Sequence, residues 1–102
     1  MKFRIKNTLT QQIPNIARKC GYVPIVESET GKQSFVRKPT KNRYPRFHLY
    51  IQRSEEEIIF DLHLDQAKTR YSGQTAHGAD YESDEVKDEL TKIYQVVSQF
   101  QK

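Results

Sequence analysis

The stretch RFHLYIQRSEEEIIFDLHLD, residues 46–65, decides the fold of this chain. Apolar and polar side chains alternate before and after a short charged turn, RSEE, and this is the period of two half-buried antiparallel strands. The apolar positions of the two strands are Phe47, Leu49, Ile51, Phe60, Leu62 and Leu64. We therefore predict a β-hairpin with one apolar face and one polar face.

Three shorter segments also have the composition of strands. Residues 22–27, YVPIVE, and residues 34–38, SFVRK, enclose the turn-like ETGK, so we expect a second hairpin. Pro24 cannot donate a ladder hydrogen bond, which puts its strand at a sheet edge. Phe3 and Ile5 alternate with basic residues, and this pattern fits either a short strand or the lead-in to a helix.

Two segments carry apolar residues at helical spacing. The first predicts a helix from about Thr10 to Cys20, with Gly21 as its stop signal. The second begins after Ser83, a good capping residue, and two acids follow in its first turn. Its apolar positions are Val86, Leu90, Ile93, Val97 and Phe100. Helices are therefore expected on both sides of the strands.

Length and composition limit the chain to one domain, because 102 residues can form one hydrophobic core but not two. We expect a single compact α+β domain over residues 1–102. In it, a four-stranded antiparallel meander carries an N-terminal and a C-terminal helix on its apolar face, in the order α-β-β-β-β-α. Cys20 is the only cysteine, which excludes an intrachain disulfide and favours a reducing, cytoplasmic location. No segment has the length and hydropathy of a membrane span.

Charge is distributed unevenly along the chain. Residues 1–53 contain 12 Lys and Arg against two acids, whereas residues 54–102 contain five against 11, which gives a formal net charge of +4. Such a division indicates either a basic surface for a polyanion or two halves that attract each other in the fold. Both interpretations remain open at this stage.

The polar face of the central hairpin is the first candidate site. If Ser54 and Glu55 form the turn, His48 lies opposite Asp61, whereas a turn one step longer puts His48 opposite His63. In either register His48, Asp61 and His63 fall in one small patch. Two imidazoles beside a carboxylate can bind a divalent metal or transfer protons.

The following loop can add Asp65, His77 and Asp80 to that patch. Neither the HxxxH nor the HExxH spacing of known zinc motifs is present, so we assign no metal ligands from the sequence. The same alternation also fits an ordinary half-exposed antiparallel strand.

The basic segment between the second and third predicted strands is the second candidate site. Its cations suit phosphate contacts, and its tyrosine suits stacking on an unpaired base. The residues are Arg37, Lys38, Lys41, Arg43, Tyr44 and Arg46. The alternatives are a solvated loop, or a loop that neutralises the acidic start of the second helix.

The third candidate site is a long segment, residues 66–82, whose apolar residues follow neither the period of a strand nor that of a helix. A loop of this length either packs on the sheet as a lid or binds a protein partner. From these sites we expect a nucleic-acid-binding domain, with RNA favoured because Tyr44 can stack on exposed bases. The alternatives are a phosphodiesterase or nuclease that uses His48, Asp61 and His63, with or without a divalent metal, and a protein-interaction module.

Overall fold

The computed structural model describes residues 1–26, 33–66, 79–80 and 82–102. For residues 33, 79 and 80 it describes the backbone only. The described residues form an α+β fold, as predicted. Its elements are β1 (Lys2–Lys6), α1 (Ile13–Lys19), β2 (Val23–Val26), β3 (Gln33–Arg37), β4 (Arg46–Arg53), β5 (Glu57–Asp65), β6 (Ala79–Asp80) and α2 (Asp84–Ser98).

All pairings in the sheet are antiparallel, and its strand order is β1-β5-β4-β3-β2. The meander from β2 to β5 matches the prediction, and the strand containing Pro24 lies at an edge. The predicted number of four strands was too low, because β1 adds a fifth at the other edge. Phe3 and Ile5 pair with Phe60 and Ile58 of β5. The pairing with β5 shows that this segment is a strand, whereas its five residues alone fitted either a strand or the lead-in to a helix. The two-residue β6 also pairs with β5.

The central hairpin adopts the longer of the two predicted turns, so that His48 lies opposite His63 and Tyr50 opposite Asp61. Hydrogen bonds between Ser54 and Glu57 fix this register. The Ser54 backbone N–H donates to the Glu57 carbonyl at 2.8 Å, and the Glu57 N–H donates to the Ser54 hydroxyl at 3.2 Å. The turn therefore decides which polar side chains become neighbours across the strands.

Both helices pack on the apolar face of the sheet, which we call the helix face. Ile16 and Ala17 of α1 are buried there with the predicted apolar residues of the central hairpin, of which Ile51 is only partly buried. The buried apolar residues that α2 contributes are Val86, Leu90, Ile93 and Val97. Ser83 caps α2 as predicted, because its hydroxyl accepts a hydrogen bond from the Val86 N–H at 3.2 Å.

Helix α1 is shorter than predicted, because the residues before it bond elsewhere. The Thr10 N–H donates to the carbonyl of Phe100 at 2.7 Å, so the helix begins only at Ile13. Gly21 ends the turn after α1 with φ +91, a conformation that glycine adopts without strain. A Cβ at this position would lie 3.1 Å from the Arg37 side chain. Gly21 thus permits the close approach of α1 to β3.

Within the described residues, no helix combines the length and the apolar character needed to cross a membrane.

Candidate functional site

The sheet face opposite the helices carries a cluster of polar side chains, which we call the histidine cluster. It consists of Ser34, Arg46, His48, His63 and Asp65. The strand register brings these residues together, because Arg46 lies opposite Asp65 and His48 lies opposite His63. The cluster occupies the end of the sheet where β4 begins and β5 ends. The second face is therefore polar, as predicted, and the two histidines at its centre are buried.

Asp65 is the centre of the cluster. Its Oδ1 lies 2.9 Å from Nε2 of His63, and its Oδ2 lies 3.2 Å from Nδ1 of His48. The Arg46 Nε donates to the same Oδ2 at 3.4 Å. Burial opposes ionisation of Asp65, but the hydrogen bonds and charges of the two histidines outweigh it and hold the pKa of this carboxyl well below its usual range. Asp65 is therefore a carboxylate that accepts from both imidazoles.

Ser34 completes the surroundings of His48. The Ser34 hydroxyl lies 2.8 Å from Nε2 of His48, so both ring nitrogens of this histidine have hydrogen-bond partners. Because Nδ1 faces a carboxylate and donates to it, Nε2 of the neutral ring accepts from the hydroxyl. The orientation and the tautomer of His48 are thereby fixed.

Tyr50 packs on the two imidazole rings. Its ring stacks on His48 at 4.4 Å between centroids and on His63 at 5.7 Å, and the two histidine rings are 5.0 Å apart. Only 8% of the His48 side chain and 11% of the His63 side chain is exposed, whereas 20% of the Asp65 side chain is exposed. Access from solvent is therefore greatest on the side of Asp65.

The chain of contacts from Ser34 through His48 to Asp65 has the order of a nucleophile, a base and an orienting carboxylate. Ser34 is completely buried, however, and a buried hydroxyl cannot reach the reacting carbon or phosphorus atom of a substrate. We therefore interpret Ser34 as a residue that positions His48. Chemistry at this cluster depends on the two imidazoles and on Asp65.

The basic loop, residues 38–45, leads directly into the histidine cluster. Lys38, Lys41 and Arg43 are exposed, whereas Tyr44 and Arg46 are half-buried. The Arg46 guanidinium lies over the Tyr44 ring at 5.2 Å while its Nε contacts Asp65. The two sites predicted separately from the sequence are thus adjacent and share Arg46.

Arg37 lies on the other face of the sheet, away from the rest of the predicted phosphate-binding residues. It is paired in register with Phe47, so its side chain points toward α2. Its Nη2 and Nε donate to Glu89 at 2.7 and 2.8 Å, and the Tyr22 hydroxyl donates to the same carboxylate at 2.7 Å. One alternative from the sequence was that the basic segment neutralises the acidic start of the second helix. The contacts of Arg37 with Glu89 fit that alternative. Its guanidinium is not available to a phosphate.

Asp61 does not join the two histidines. It lies opposite Tyr50, and 46% of its side chain is exposed. The carboxylate between the imidazoles is that of Asp65, which the sequence suggested only as an addition to the patch. His63 lies two residues from both Asp61 and Asp65 on one strand, so all three share a face. This signal places Asp65 in the patch but does not choose it over Asp61. Ser34 had no such signal, because only the pairing of β3 with β4 brings it to His48.

Most of the third candidate, residues 66–82, lies outside the described residues, and so does His77. The backbone of Ala79 and Asp80 pairs with Asp65 and Leu64. The predictions of a lid or of a partner surface in this segment stay predictions.

Cys20 has the character of an unreactive thiol. Burial, and then the negative charge of Glu89, raise its pKa from 9.0 to about 11. The thiolate is the reactive form of cysteine, so little of the reactive species exists near neutral pH. Cys20 follows α1 as its C-cap residue and packs, partly buried, against the hydrophobic core.

Comparisons with protein-family models, with curated proteins and with solved structures found no match for this chain. Its function is therefore inferred from the geometry of the basic loop and the histidine cluster.

Proposed function

We propose that this domain binds single-stranded RNA on the surface formed by the basic loop and the adjoining edge of the histidine cluster. The observation that carries the proposal is the position of Arg46, which lies over the Tyr44 ring and also contacts Asp65. It connects the basic loop to the partly exposed carboxylate of the histidine cluster. A phosphate-bearing chain lying along the loop would therefore reach the cluster.

The charges of the loop support phosphate binding. Lys38, Lys41 and Arg43 are exposed, and none of the ion pairs between described residues involves them. Counterions condense on the phosphates of a polyanion, and exposed cations that bind these phosphates displace them. The release of the counterions drives association at low salt. The loop thus offers three cations for phosphate contacts, in addition to Arg46.

Tyr44 favours an unpaired nucleic acid over a duplex. Its ring is half-buried and is held by the Arg46 guanidinium, so its orientation is restrained. An aromatic ring held beside cations is the arrangement on which exposed bases stack, and duplex bases do not expose their faces in this way. A reducing compartment such as the cytoplasm, consistent with the single cysteine, completes the proposal.

The histidine cluster supports a second candidate function, the cleavage of the bound phosphodiester. The centroids of the two imidazole rings are 5.0 Å apart. Arg46, the residue that follows the basic loop, contacts the carboxylate that both imidazoles share. Cleavage by acid–base catalysis needs one group that takes a proton from the attacking oxygen and another that donates one to the leaving oxygen. Two adjacent histidines can provide both groups.

Fluorescence anisotropy of a labelled single-stranded RNA across a salt series tests the binding proposal. The variant Lys41→Glu, Arg43→Glu should bind at least about tenfold more weakly at low salt than the wild type. Its slope of log affinity against log salt should be smaller by about 1.4, since each phosphate contact to a single strand contributes about 0.7. Tyr44→Ala should weaken binding while leaving the salt slope unchanged.

The matched control is Lys6→Glu, Lys92→Glu, which makes the same change of charge away from the basic loop. Lys6 pairs with Glu57 at the opposite end of β5 from Asp65, and Lys92 is exposed on α2. Equal losses in both double variants would reduce the binding to general charge attraction and would overturn the assignment of the loop. The absence of any RNA binding by the wild type at low salt would overturn the proposal itself and would favour the protein-interaction alternative.

Incubation of the same RNA with the protein in a chelator, followed by gel electrophoresis, tests metal-independent cleavage. Cleavage that is lost in His63→Gln while RNA affinity is kept would support the second candidate. An uncut RNA that is nevertheless bound would leave RNA binding as the function and reject metal-independent catalysis.

A further inference from the structure

We propose that His48, His63 and Asp65 form a binding site for one divalent transition-metal ion, and that Zn²⁺ is the ion that fits best. Each residue offers one ligand atom, and these atoms all lie within 4.8 Å of one another. The nitrogens that face Asp65 are Nδ1 of His48 and Nε2 of His63. The site does not depend on RNA binding, because none of its three ligands belongs to the basic loop.

Two of the three distances between the candidate ligand atoms are close to those of a metal site. Zn²⁺ bonds nitrogen and oxygen at about 2.0–2.2 Å, so two ligands of a tetrahedral site are roughly 3.3 Å apart. The Asp65 oxygens lie 3.2 Å from Nδ1 of His48 and 2.9 Å from Nε2 of His63. An ion at this point would replace the protons that the imidazoles now donate to the carboxylate. The two imidazole nitrogens, now within 4.8 Å of each other, would move to the same spacing as they bind it.

The surroundings of the three ligands form the outer shell that a metal site requires. An imidazole bound to a metal through one nitrogen usually donates a hydrogen bond from the other, which fixes the ring. Nε2 of His48 lies 2.8 Å from the completely buried Ser34 hydroxyl, which can accept that bond. Arg46 holds the Asp65 carboxylate, and Tyr50 stacks on both rings. The ligands are thus oriented before any ion binds.

The donor set selects the class of ion. Mg²⁺ and Ca²⁺ prefer sites made of oxygen ligands, whereas this cluster offers two imidazole nitrogens and one carboxylate. Imidazole nitrogens with a single carboxylate suit Zn²⁺ and its first-row neighbours. Three protein ligands leave at least one coordination position for water or for a phosphate oxygen, as catalytic zinc sites do. The solvent-accessible side of Asp65 provides the entry path.

Isothermal titration of chelator-treated protein with Zn²⁺, and absorption spectroscopy with Co²⁺ as the probe, test the proposal. We expect one ion to bind per chain. Bound Co²⁺ should show the visible absorption bands that are typical of this ion at a low coordination number. His63→Gln keeps a side chain that can hydrogen-bond to Asp65 but removes an imidazole ligand, and Asp65→Asn removes the anionic one. Each should weaken Zn²⁺ binding by about 100-fold or more. Ser34→Ala should weaken it by about tenfold, as loss of an outer-shell partner does.

The matched control is Asp61→Asn, which removes an exposed carboxylate from the same face of the same strand and should leave Zn²⁺ affinity unchanged. Wild-type protein that binds no Zn²⁺, or a His63→Gln variant that binds as well as the wild type, would overturn the proposal. Should the variants fold poorly, NMR of the wild type decides, because Zn²⁺ must shift the ring signals of both His48 and His63.

The metal proposal and the RNA proposal fail separately. The variant Lys41→Glu, Arg43→Glu should lose RNA binding and retain the full Zn²⁺ affinity. His63→Gln should lose Zn²⁺ binding and retain RNA binding in the chelator. A loss of Zn²⁺ binding in the loop variant would overturn the assignment of the three ligands.

Discussion

Two carboxylates, one on each face of the sheet, are held in similar ways and differ in what else surrounds them. Glu89 on the helix face pairs with Arg37 at the end of β3, and Asp65 on the other face pairs with Arg46 at the start of β4. Each guanidinium also lies over an aromatic ring, at 5.1 Å for Arg37 and 5.2 Å for Arg46. The basic loop is thus flanked on each side by an ion-paired arginine.

The difference lies in the remaining partners. Arg37 donates two hydrogen bonds to Glu89, and Tyr22 supplies a third, so this carboxylate is bound by donors that keep their protons near neutral pH. Asp65 receives one longer contact from Arg46 and two from imidazoles, whose protons a metal ion can replace. The helix face therefore holds a carboxylate whose donors are fixed, whereas the carboxylate on the other face is the one that we propose as a metal ligand.

Glu89→Gln should give the largest loss of stability. It leaves the half-buried Arg37 charge and the buried Tyr22 hydroxyl without their anionic acceptor, and we expect the free energy of unfolding to fall by about 2–3 kcal/mol. Urea denaturation at neutral pH measures this change. A loss below about 0.5 kcal/mol would place the pair among ordinary surface ion pairs and would remove the contrast between the two faces.

The contribution of Glu89 should also depend on pH. Burial opposes ionisation of this carboxyl, but the hydrogen bonds from Arg37 and Tyr22 hold its pKa below the ordinary value of 4.5. The unfolded chain therefore binds the proton more readily, so the stabilisation is complete above about pH 4.5 and decreases as pH falls through the folded-state pKa. The difference in unfolding free energy between wild type and Glu89→Gln should shrink toward zero across that acidic window. A difference that stays constant with pH would contradict the ion pair.

Asp65→Asn should have an intermediate effect when metal is removed by a chelator. It replaces an anionic acceptor of three hydrogen bonds by a neutral amide, and we expect a loss of about 1–2 kcal/mol. Asp61→Asn, on the same strand and face, should change stability by less than about 0.5 kcal/mol. Thermal or urea unfolding of both variants makes the comparison, and equal losses would show that Asp65 has no special role in the fold.

Ser34→Ala should have the smallest effect of the set, about 1 kcal/mol, because it leaves one nitrogen of a buried imidazole without its hydrogen-bond partner. Ser98→Ala at the exposed end of α2 is the control, since its hydroxyl donates only to the neighbouring Gln95 carbonyl. We expect no more than about 0.5 kcal/mol for this control. Urea denaturation is again the measurement, and a Ser34→Ala protein as stable as the wild type would remove Ser34 from the cluster.

The apolar pattern predicted much of the fold because it is a local property. Alternation in residues 46–65 indicated the central hairpin, and helical spacing with the Ser83 cap indicated α2. The strand β1 was only one of two interpretations, because five residues are too few to distinguish a short strand from a helix lead-in. Its pairing with β5 spans more than fifty residues of sequence, and no local signal reports it.

The candidate site was predicted in part, for a related reason. His48 and His63 share a face in either register, so their proximity followed from the period of the strands. Choosing Asp65 over Asp61 required the turn at Ser54, because a shift of one step changes every partner across the hairpin. Arg37 is separated from the other basic residues because its side chain lies on the helix face of β3. A run of basic residues in the sequence does not show on which face each side chain lies.

By itself, the sequence determined the α+β class, the hairpin with its two histidines, the capped second helix and the division of charge between the two halves. These features depend on residues close together in the chain, where periodicity and capping act. The tertiary structure decided which groups touch: Glu89 with Arg37, Asp65 with both histidines, and the buried Ser34 with His48. Such contacts join side chains from separate elements, and only the sheet register and the packing of α2 bring their atoms within bonding distance.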